Sequence, residues 1–224
     1  MTRPISPYHK PGFYAEALAK GRHRDVVGGR WDETGRAQMA LLQAEGLRPH
    51  HLLLDIGAGS LRLGCKAVPY LDPDHYWATD LSLPLMQRGH QTELPDPDRL
   101  HPDHLVEDPD FSFPGIPPTI QFAIAFAVFT HLPLGHLHHA LTRIHASFPH
   151  LDRLLFTVFL SAQATHATAL RQPDGVVTHP DRAPYHHLPA DILHLTQTTG
   201  FIATLSDTRL PRGQILCVAS RSTA

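Results

Sequence analysis

The sequence predicts an α/β fold, a doubly wound and mostly parallel sheet of seven strands, and three observations predict it. Apolar runs of strand length alternate with amphipathic segments along most of the 224 residues. One run, Leu52-Leu-Leu-Asp-Ile56, breaks straight into the turn Gly57-Ala-Gly59. A second, His75-Tyr-Trp-Ala-Thr-Asp80, also ends in an acid.

In chain order, residues 12–20 and 32–46 read as helices, the second carrying apolar Met39, Leu41 and Leu42 and stopping at Gly46. They form an expected helical cap, 1–50, over a ligand pocket. The core is expected over 51–224, making one domain of the whole chain. Strands are predicted at 51–56, 75–80, 103–107, 121–128, 153–160, 201–205 and 214–219, and helices near 60–71, 82–90, 134–147 and 189–199. Two stretches are too irregular to be plain connections. Residues 91–118 hold seven prolines, and 161–188 contains Pro173-Asp-Gly175, Pro180 and Pro184. Long ordered loops in compact domains are commonly functional, so the second is expected to help form a lid over a bound substrate.

Composition narrows the function. With 42% hydrophobic residues the chain can bury a sizeable core. A formal charge of −2 without a basic run gives no electrostatic footprint for nucleic acid. No stretch resembles a secretory leader or a membrane span, so a cytoplasmic protein with a small-molecule partner and no membrane partner is expected. Cys65 and Cys217 stand far apart without metal spacing and read as two buried thiols. The 19 histidines are strewn through every segment, with lysine scarce. Even His136-Leu-His-His139 and His186-His187 read as compositional bias, and no metal is expected.

The loop after the first strand reads as a nucleoside-cofactor loop. Leu52 to Ile56 suits a strand buried on both faces, and Gly57 and Gly59 allow a sharp turn and close backbone approach to a ligand. A helix is expected from Ser60, its free N–H groups facing an anionic group such as a carboxylate. The dinucleotide fingerprint needs a third glycine where Arg62 stands, which disfavours NAD. Asp55, awkward beside a pyrophosphate, suits the ammonium of S-adenosylmethionine, which has no phosphate. Asp80 falls where a ribose-binding carboxylate is expected.

These residues resemble the class I S-adenosylmethionine-dependent methyltransferases, in particular a bacterial small-molecule group. The resemblance runs through most of the chain: Val27-Gly-Gly-Arg-Trp-Asp-Glu33, Leu47-Arg-Pro-His50, Leu54 to Arg62, Tyr70-Leu-Asp-Pro73, Trp77 to Ser82, Asp108 to Phe113, Val128-Phe-Thr-His-Leu-Pro133 and Leu210-Pro-Arg-Gly-Gln214. It implies a Rossmann-like fold with an antiparallel strand near the C-terminus. The implied cofactor-binding set is Asp55, Gly57, Ala58, Gly59, Ser60 and Arg62, with Asp80 and Leu81, Asp108 for the adenine amino group, Trp31 as a cover and Phe129. Three departures stand out. Ala123 replaces an acid, Phe148-Pro-His-Leu-Asp152 replaces a Lys-Pro-Gly-Gly turn, and Leu63 stands where the group tends to have glycine.

Methyl transfer needs alignment more than side-chain chemistry, and a base only for some acceptors. His131 is the first catalytic candidate, because Phe129-Thr-His131 follows the fourth strand, with Tyr185, His186 and His187 next. The expected activity is transfer of a methyl group to oxygen or nitrogen of a small molecule, secondary metabolites included. Two alternatives stay open: a donor-binding protein that catalyses another reaction, and a non-catalytic ligand-binding or partner protein on a degenerate fold.

Overall fold

Apolar residues fall on both faces of the central strands, and the structure buries both of those faces. The computed structural model describes residues 6–10 and 12–222. A single 3-10 turn at Pro7–His9 leads into α1 (Phe13–Ala19) and α2 (Trp31–Ala44). Then follow β1 (Leu53–Ile56), α3 (Gly64–Tyr70), β2 (Tyr76–Asp80), α4 (Leu83–Glu93), β3 (Leu105–Glu107), β4 (Phe122–Ala125), α5 (Leu134–Ser147) and β5 (Arg153–Leu160). The chain closes with β6 (Leu170–Arg171), β7 (Val177–Thr178), β8 (His186–His187), α6 (Pro189–Thr198), β9 (Phe201–Arg209) and β10 (Ile215–Arg221).

The main sheet runs in the order β3-β2-β1-β4-β5-β10-β9. Its strands are parallel except β10, which is antiparallel to both β5 and β9. Because side chains alternate across a strand, the sheet divides its apolar residues between two cores. Leu53, Tyr76, Ala78, Phe122 and Ile124 face a cluster with Met39, Leu42, Ala67 and Met86, contributed by α2, α3 and α4. Leu54, Ile56, Ala123, Ala125 and Phe156 face one with Leu137, Leu141, Ile144 and Ile192, contributed by α5 and α6. Helices on both faces of a largely parallel sheet are the doubly wound arrangement that the alternation predicts. Ala123 is fully buried in this second core, so the missing acid leaves no gap in any pocket.

Three local departures have plain causes. The helix expected from Ser60 begins at Gly64, because Gly57, Gly59 and Leu61 take left-handed φ angles of 73°, 59° and 62° that no helix accommodates. β4 stops at Ala125 rather than near 128, since Ala127 is left-handed, donates its N–H to Thr157 Oγ1 at 2.7 Å, and is followed by a 3-10 turn. The turn from α5 to β5 needs no glycine, for Leu151 N–H closes it on the Phe148 carbonyl at 3.2 Å and Asp152 N–H reaches the Gln121 carbonyl at 2.8 Å. Of the irregular stretches, 161–188 carries the β6–β7 hairpin and β8, which extends β5 in parallel at Phe159 and Leu160.

α4 crosses the loop after β1 at a glycine. A Cβ on Gly89 would lie 2.2 Å from the Ser60 carbonyl oxygen, a backbone atom that cannot swing aside. Gly-to-Ala in a helix interior ordinarily stabilises by roughly 0.5–1 kcal/mol. Gly89→Ala is expected instead to destabilise by about 1–3 kcal/mol through overpacking, read as a lower urea midpoint. A raised midpoint would mean that α4 does not press on the loop.

Candidate functional site

The carboxyl ends of β1, β2, β4 and β5 open onto a cavity of about 260 Å³. This is where a doubly wound sheet binds ligands, outside the strand ends at the switch of strand order. Three loops meet there because of their backbone hydrogen bonds. Gly57 and Ala58 N–H both donate to the Thr79 carbonyl, at 2.8 and 3.0 Å, folding the first loop across the end of β2. Glycine is required at two of its positions. At left-handed φ, a Cβ on Gly57 would meet Val128 Cγ2 at 2.4 Å, and one on Gly59 would meet Val27 Cγ1 at 2.3 Å.

The buried acids are held in place by the same loops. Asp80 Oδ2 accepts the Gly59 N–H at 2.8 Å and Oδ1 the Ser82 N–H at 3.1 Å, and the carboxylate keeps acceptor capacity for a ligand. Burial lifts its carboxyl to about 6 despite those bonds. Asp55 Oδ2 accepts the Tyr76 hydroxyl at 2.6 Å, and burial raises this carboxyl to about 7 against the pull of Tyr76 and Arg62. Ser82 caps α4, its Oγ accepting the Leu85 N–H at 3.3 Å. Asp108 also lines the cavity but is largely spent on its own loop. Its Oδ1 accepts from Ser112 N–H at 2.9 Å and Ser112 Oγ at 3.0 Å, and its Oδ2 from Phe113 N–H at 2.9 Å.

The described residues ahead of β1 close one side, through Tyr8, His9, Tyr14, Val27, Thr34 and Gln38. Arg62 clamps this cap, donating Nη1 to the Val27 carbonyl at 2.7 Å and Nε to Gln38 Oε1 at 3.3 Å. Ser60 Oγ donates to the His23 carbonyl at 2.9 Å, and Arg24 grips Glu93 of α4 with two bonds of 2.8 and 2.7 Å. Opposite, the turn between β9 and β10 brings in Arg212 and Gln214. Arg212 donates its backbone N–H to Asp174 in the β6–β7 turn and a guanidinium N–H to the Gly28 carbonyl, so one residue joins three loops at the mouth.

Of the residues singled out in the sequence, Asp55, Gly57, Ala58, Gly59, Arg62, Asp80, Leu81, Asp108 and His131 line this cavity together. Five others do not. Trp31 lies under the Arg24 guanidinium, 5.1 Å from its ring centre, on the outer side of the cap. Ser60 is fully buried and committed to His23. Phe129 packs at 5.3 Å on Phe156 in the core, because the 3-10 turn rotates its ring away from the strand ends. Tyr185 is buried with its N–H on the Thr130 carbonyl. Both ring nitrogens of buried His186 are engaged, Nε2 donating to the His166 carbonyl and Nδ1 beside Thr178 Oγ1, each at 2.9 Å. His187 is buried outside the cavity as well.

His131 does reach the cavity, with Tyr8 edge-on to its ring at 4.9 Å. Its Nδ1 is sealed from solvent without a hydrogen-bond partner among the described residues, and so is Gln214 Oε1. Burial, helped by Arg212, depresses the imidazole to about 4, so it is neutral at physiological pH. Tyr8, Tyr14, Phe159 and Gln214 escaped sequence reasoning. The N-terminal tyrosines carry no pattern signal, and Leu210 to Gln214 was visible only as one ordered piece of a resemblance. Among the described residues no group of three or more His, Cys, Asp or Glu is placed to hold a metal, and both cysteines are free thiols, Cys65 half-buried and Cys217 buried. No helix among them is long and apolar enough to cross a membrane.

No protein-family model and no curated protein sequence matches the chain. Solved structures do. The chain is similar to 1,6-didemethyltoxoflavin-N1-methyltransferase from Burkholderia thailandensis, with bound 1,6-didemethyltoxoflavin and S-adenosylhomocysteine, at 21% identity and TM-score 0.62 over 100% of this chain and 94% of that one. Magnesium protoporphyrin IX methyltransferase from Synechocystis, with bound S-adenosylhomocysteine, matches at 19% identity and TM-score 0.62, over 93% and 96%. An amino pentose methyltransferase from Micromonospora echinaspora involved in calicheamicin biosynthesis matches at 13% and 0.59, over 93% and 97%. With this strand order and these full-length likenesses, the chain has the Rossmann-like fold of the class I S-adenosylmethionine-dependent methyltransferases.

Proposed function

We propose that the protein is an S-adenosylmethionine-dependent methyltransferase acting on oxygen or nitrogen of a small molecule, secondary metabolites included. The observation that carries this is Asp80, buried at the cavity wall with its oxygens fixed by Gly59 and Ser82 N–H and acceptor capacity to spare. Such a carboxylate suits a pair of vicinal ribose hydroxyls. The rest of the donor set fits the same cofactor. Asp55 offers negative charge toward an ammonium group, and Leu81 and Phe126 give apolar surface for a base. Three carboxylates along the lining, Asp55, Asp80 and Asp108, oppose a pyrophosphate, which argues against a dinucleotide.

S-adenosylmethionine, when bound, supplies a methyl group already activated by its sulfonium. The protein's task is then to hold the acceptor in line and exclude water, and proximity of that kind supplies much of the acceleration in such reactions. Tyr8, Tyr14 and the Arg62-clamped cap do the excluding. A general base works best with a pKa near the working pH, and His131, depressed to about 4, lies far below it. We therefore assign His131 the role of a neutral hydrogen-bond partner that orients the acceptor.

Calorimetry tests the reading directly. S-adenosylmethionine and S-adenosylhomocysteine are expected to bind in the micromolar range and NAD not at all; silence for all three would leave a degenerate fold. Asp80→Ala should remove charged hydrogen bonds worth roughly 1.5–3 kcal/mol and weaken S-adenosylhomocysteine about tenfold to a hundredfold. In the ligand-free protein the imidazole NMR signal lost in His131→Phe should titrate near pH 4. A depressed folded pKa means that stability from this neutral ring is complete above its unfolded value near 6.5 and drains away as pH falls toward 4. The acid loss of stability should accordingly be shallower in His131→Phe. A midpoint near 6.5 would restore His131 as a base.

A further inference from the structure

Asp55 is an acid in the middle of the sheet. It pairs with Ala78 of β2 and Ile124 of β4, and its side chain shares their face among apolar residues covered by α2, α3 and α4. A charge in such a place is costly unless it is hydrogen-bonded or paired. The guanidinium that attracts it, on Arg62, is spent on the Val27 and Gly29 carbonyls and on Gln38. Tyr76 supplies the bond instead, its hydroxyl donating to Asp55 Oδ2 at 2.6 Å. The other oxygen, Oδ1, has no donor among the described residues, yet it is not one of the polar atoms sealed from the surface, and Asp55 lines the cavity. The carboxylate is thus fixed on one oxygen and open toward the cavity on the other.

Tyr76 is 1% exposed and packs in the core, where a phenylalanine would fill the same apolar space. Its hydroxyl is therefore the atom that calls for a reason. To reach Asp55 the phenol passes close under the start of α3. A Cβ on Gly64, the first residue of that helix, would lie 3.1 Å from the hydroxyl and 3.3 Å from Cζ. Burial, and then the Asp55 charge, pushes the phenol well above its usual value, so Tyr76 keeps its proton and donates. Burial lifts the Asp55 carboxyl to about 7, with Tyr76 and Arg62 pulling it down and Asp80 pushing it up. A donor bonded to the charged form favours that form. Cys65 also faces the phenol, but burial raises this thiol and it stays neutral.

We propose that Tyr76 is a positioning residue for the donor: its hydroxyl holds the Asp55 carboxylate in place and charged, with Oδ1 turned to the ammonium group of S-adenosylmethionine. Tyr76 itself does not line the cavity and acts only through Asp55. This deepens the methyltransferase reading and rests on it. Because an ammonium binds the ionised acid, affinity for it should fall about tenfold per pH unit below the Asp55 value.

Two ligands test this by calorimetry across the neutral pH range: S-adenosylhomocysteine, which carries the ammonium, and 5′-methylthioadenosine, which shares the nucleoside and lacks it. Asp80 faces the part they share, so its own titration cancels in the ratio of their affinities. In the wild type that ratio should rise with pH and level off above about 7. Tyr76→Phe is expected to move the rise up by about one pH unit, weakening S-adenosylhomocysteine about fivefold at neutral pH, a loss that closes as pH increases. Its affinity for 5′-methylthioadenosine should stay unchanged, which also shows that the variant is folded. Asp55→Asn should flatten the ratio, and adding Tyr76→Phe to it should change nothing further. An unshifted ratio in Tyr76→Phe, or an equal loss for both ligands, overturns the proposal. So does a ratio that Asp55→Asn leaves unaltered. Should Tyr76→Phe bind neither ligand, Tyr76→3-fluorotyrosine decides, because its more acidic phenol donates more strongly and should move the rise to lower pH; an unmoved rise overturns the proposal. Wild-type protein that binds neither ligand is a different result, and removes the methyltransferase reading together with this one.

Discussion

The hydrogen bond from Gly59 N–H to Asp80 Oδ2, 2.8 Å long and buried, is the contact on which the site depends. It joins the loop after β1 to the last residue of β2, so neither can move without the other. To make it, the loop must climb through left-handed backbone at Gly57 and Gly59, where a β-carbon would strike Val128 and Val27. Those two valines belong to the loop after β4 and to the N-terminal cap. One hydrogen bond and two missing side chains therefore fix the distances between four segments of the cavity wall.

Burial gives this arrangement its energetic character. Asp55 and Asp80 sit where water cannot solvate them, and both carboxyls are pushed up, to about 7 and about 6. Folding of the ligand-free chain is thus opposed at neutral pH by two acids that hold their protons more tightly than in the unfolded state. The sign follows from linkage: the opposition is absent below about pH 4, grows as pH rises through the interval to each folded value, and is complete above about 7. A cofactor that brings hydroxyls to one acid and a positive charge to the other offsets it, so occupancy and stability are coupled through the same groups. His131 and His187, both depressed to about 4, lean the opposite way over nearly the same range. The polar interior is organised for binding at the expense of the empty fold.

Most of the architecture was legible in the sequence because it is written in period and punctuation. Leu52 to Ile56, the strand ending at Asp80, and the helices predicted near 82–90, 134–147 and 189–199 all follow from apolar spacing and stop signals, which report local burial directly. Misreadings came where tertiary geometry overrides the local signal. Ser60 has the chemistry of a helix cap, yet Leu61 in left-handed backbone delays the helix to Gly64 and sends the hydroxyl to His23. Phe129 follows the correct strand, but a 3-10 turn directs its ring into the core. Tyr185 and His186 lie in the expected irregular stretch, and β8 pairing with β5 buries them outside the cavity.

What the sequence hid is the half of the cavity assembled from distant, unpatterned pieces. Tyr8 comes from the N-terminal turn, Phe159 from the end of β5 and Gln214 from the step into β10, and no periodicity links them. Such residues become visible only once the fold has brought them to one cavity. The donor side repeats a constraint, glycine next to a buried acid, that leaves a signature within a few residues of chain. The remaining wall is assembled from long-range contacts, and those leave no motif. The glycine-and-acid side of such a site is therefore readable from one loop, while the rest of its wall has to be read from the folded structure.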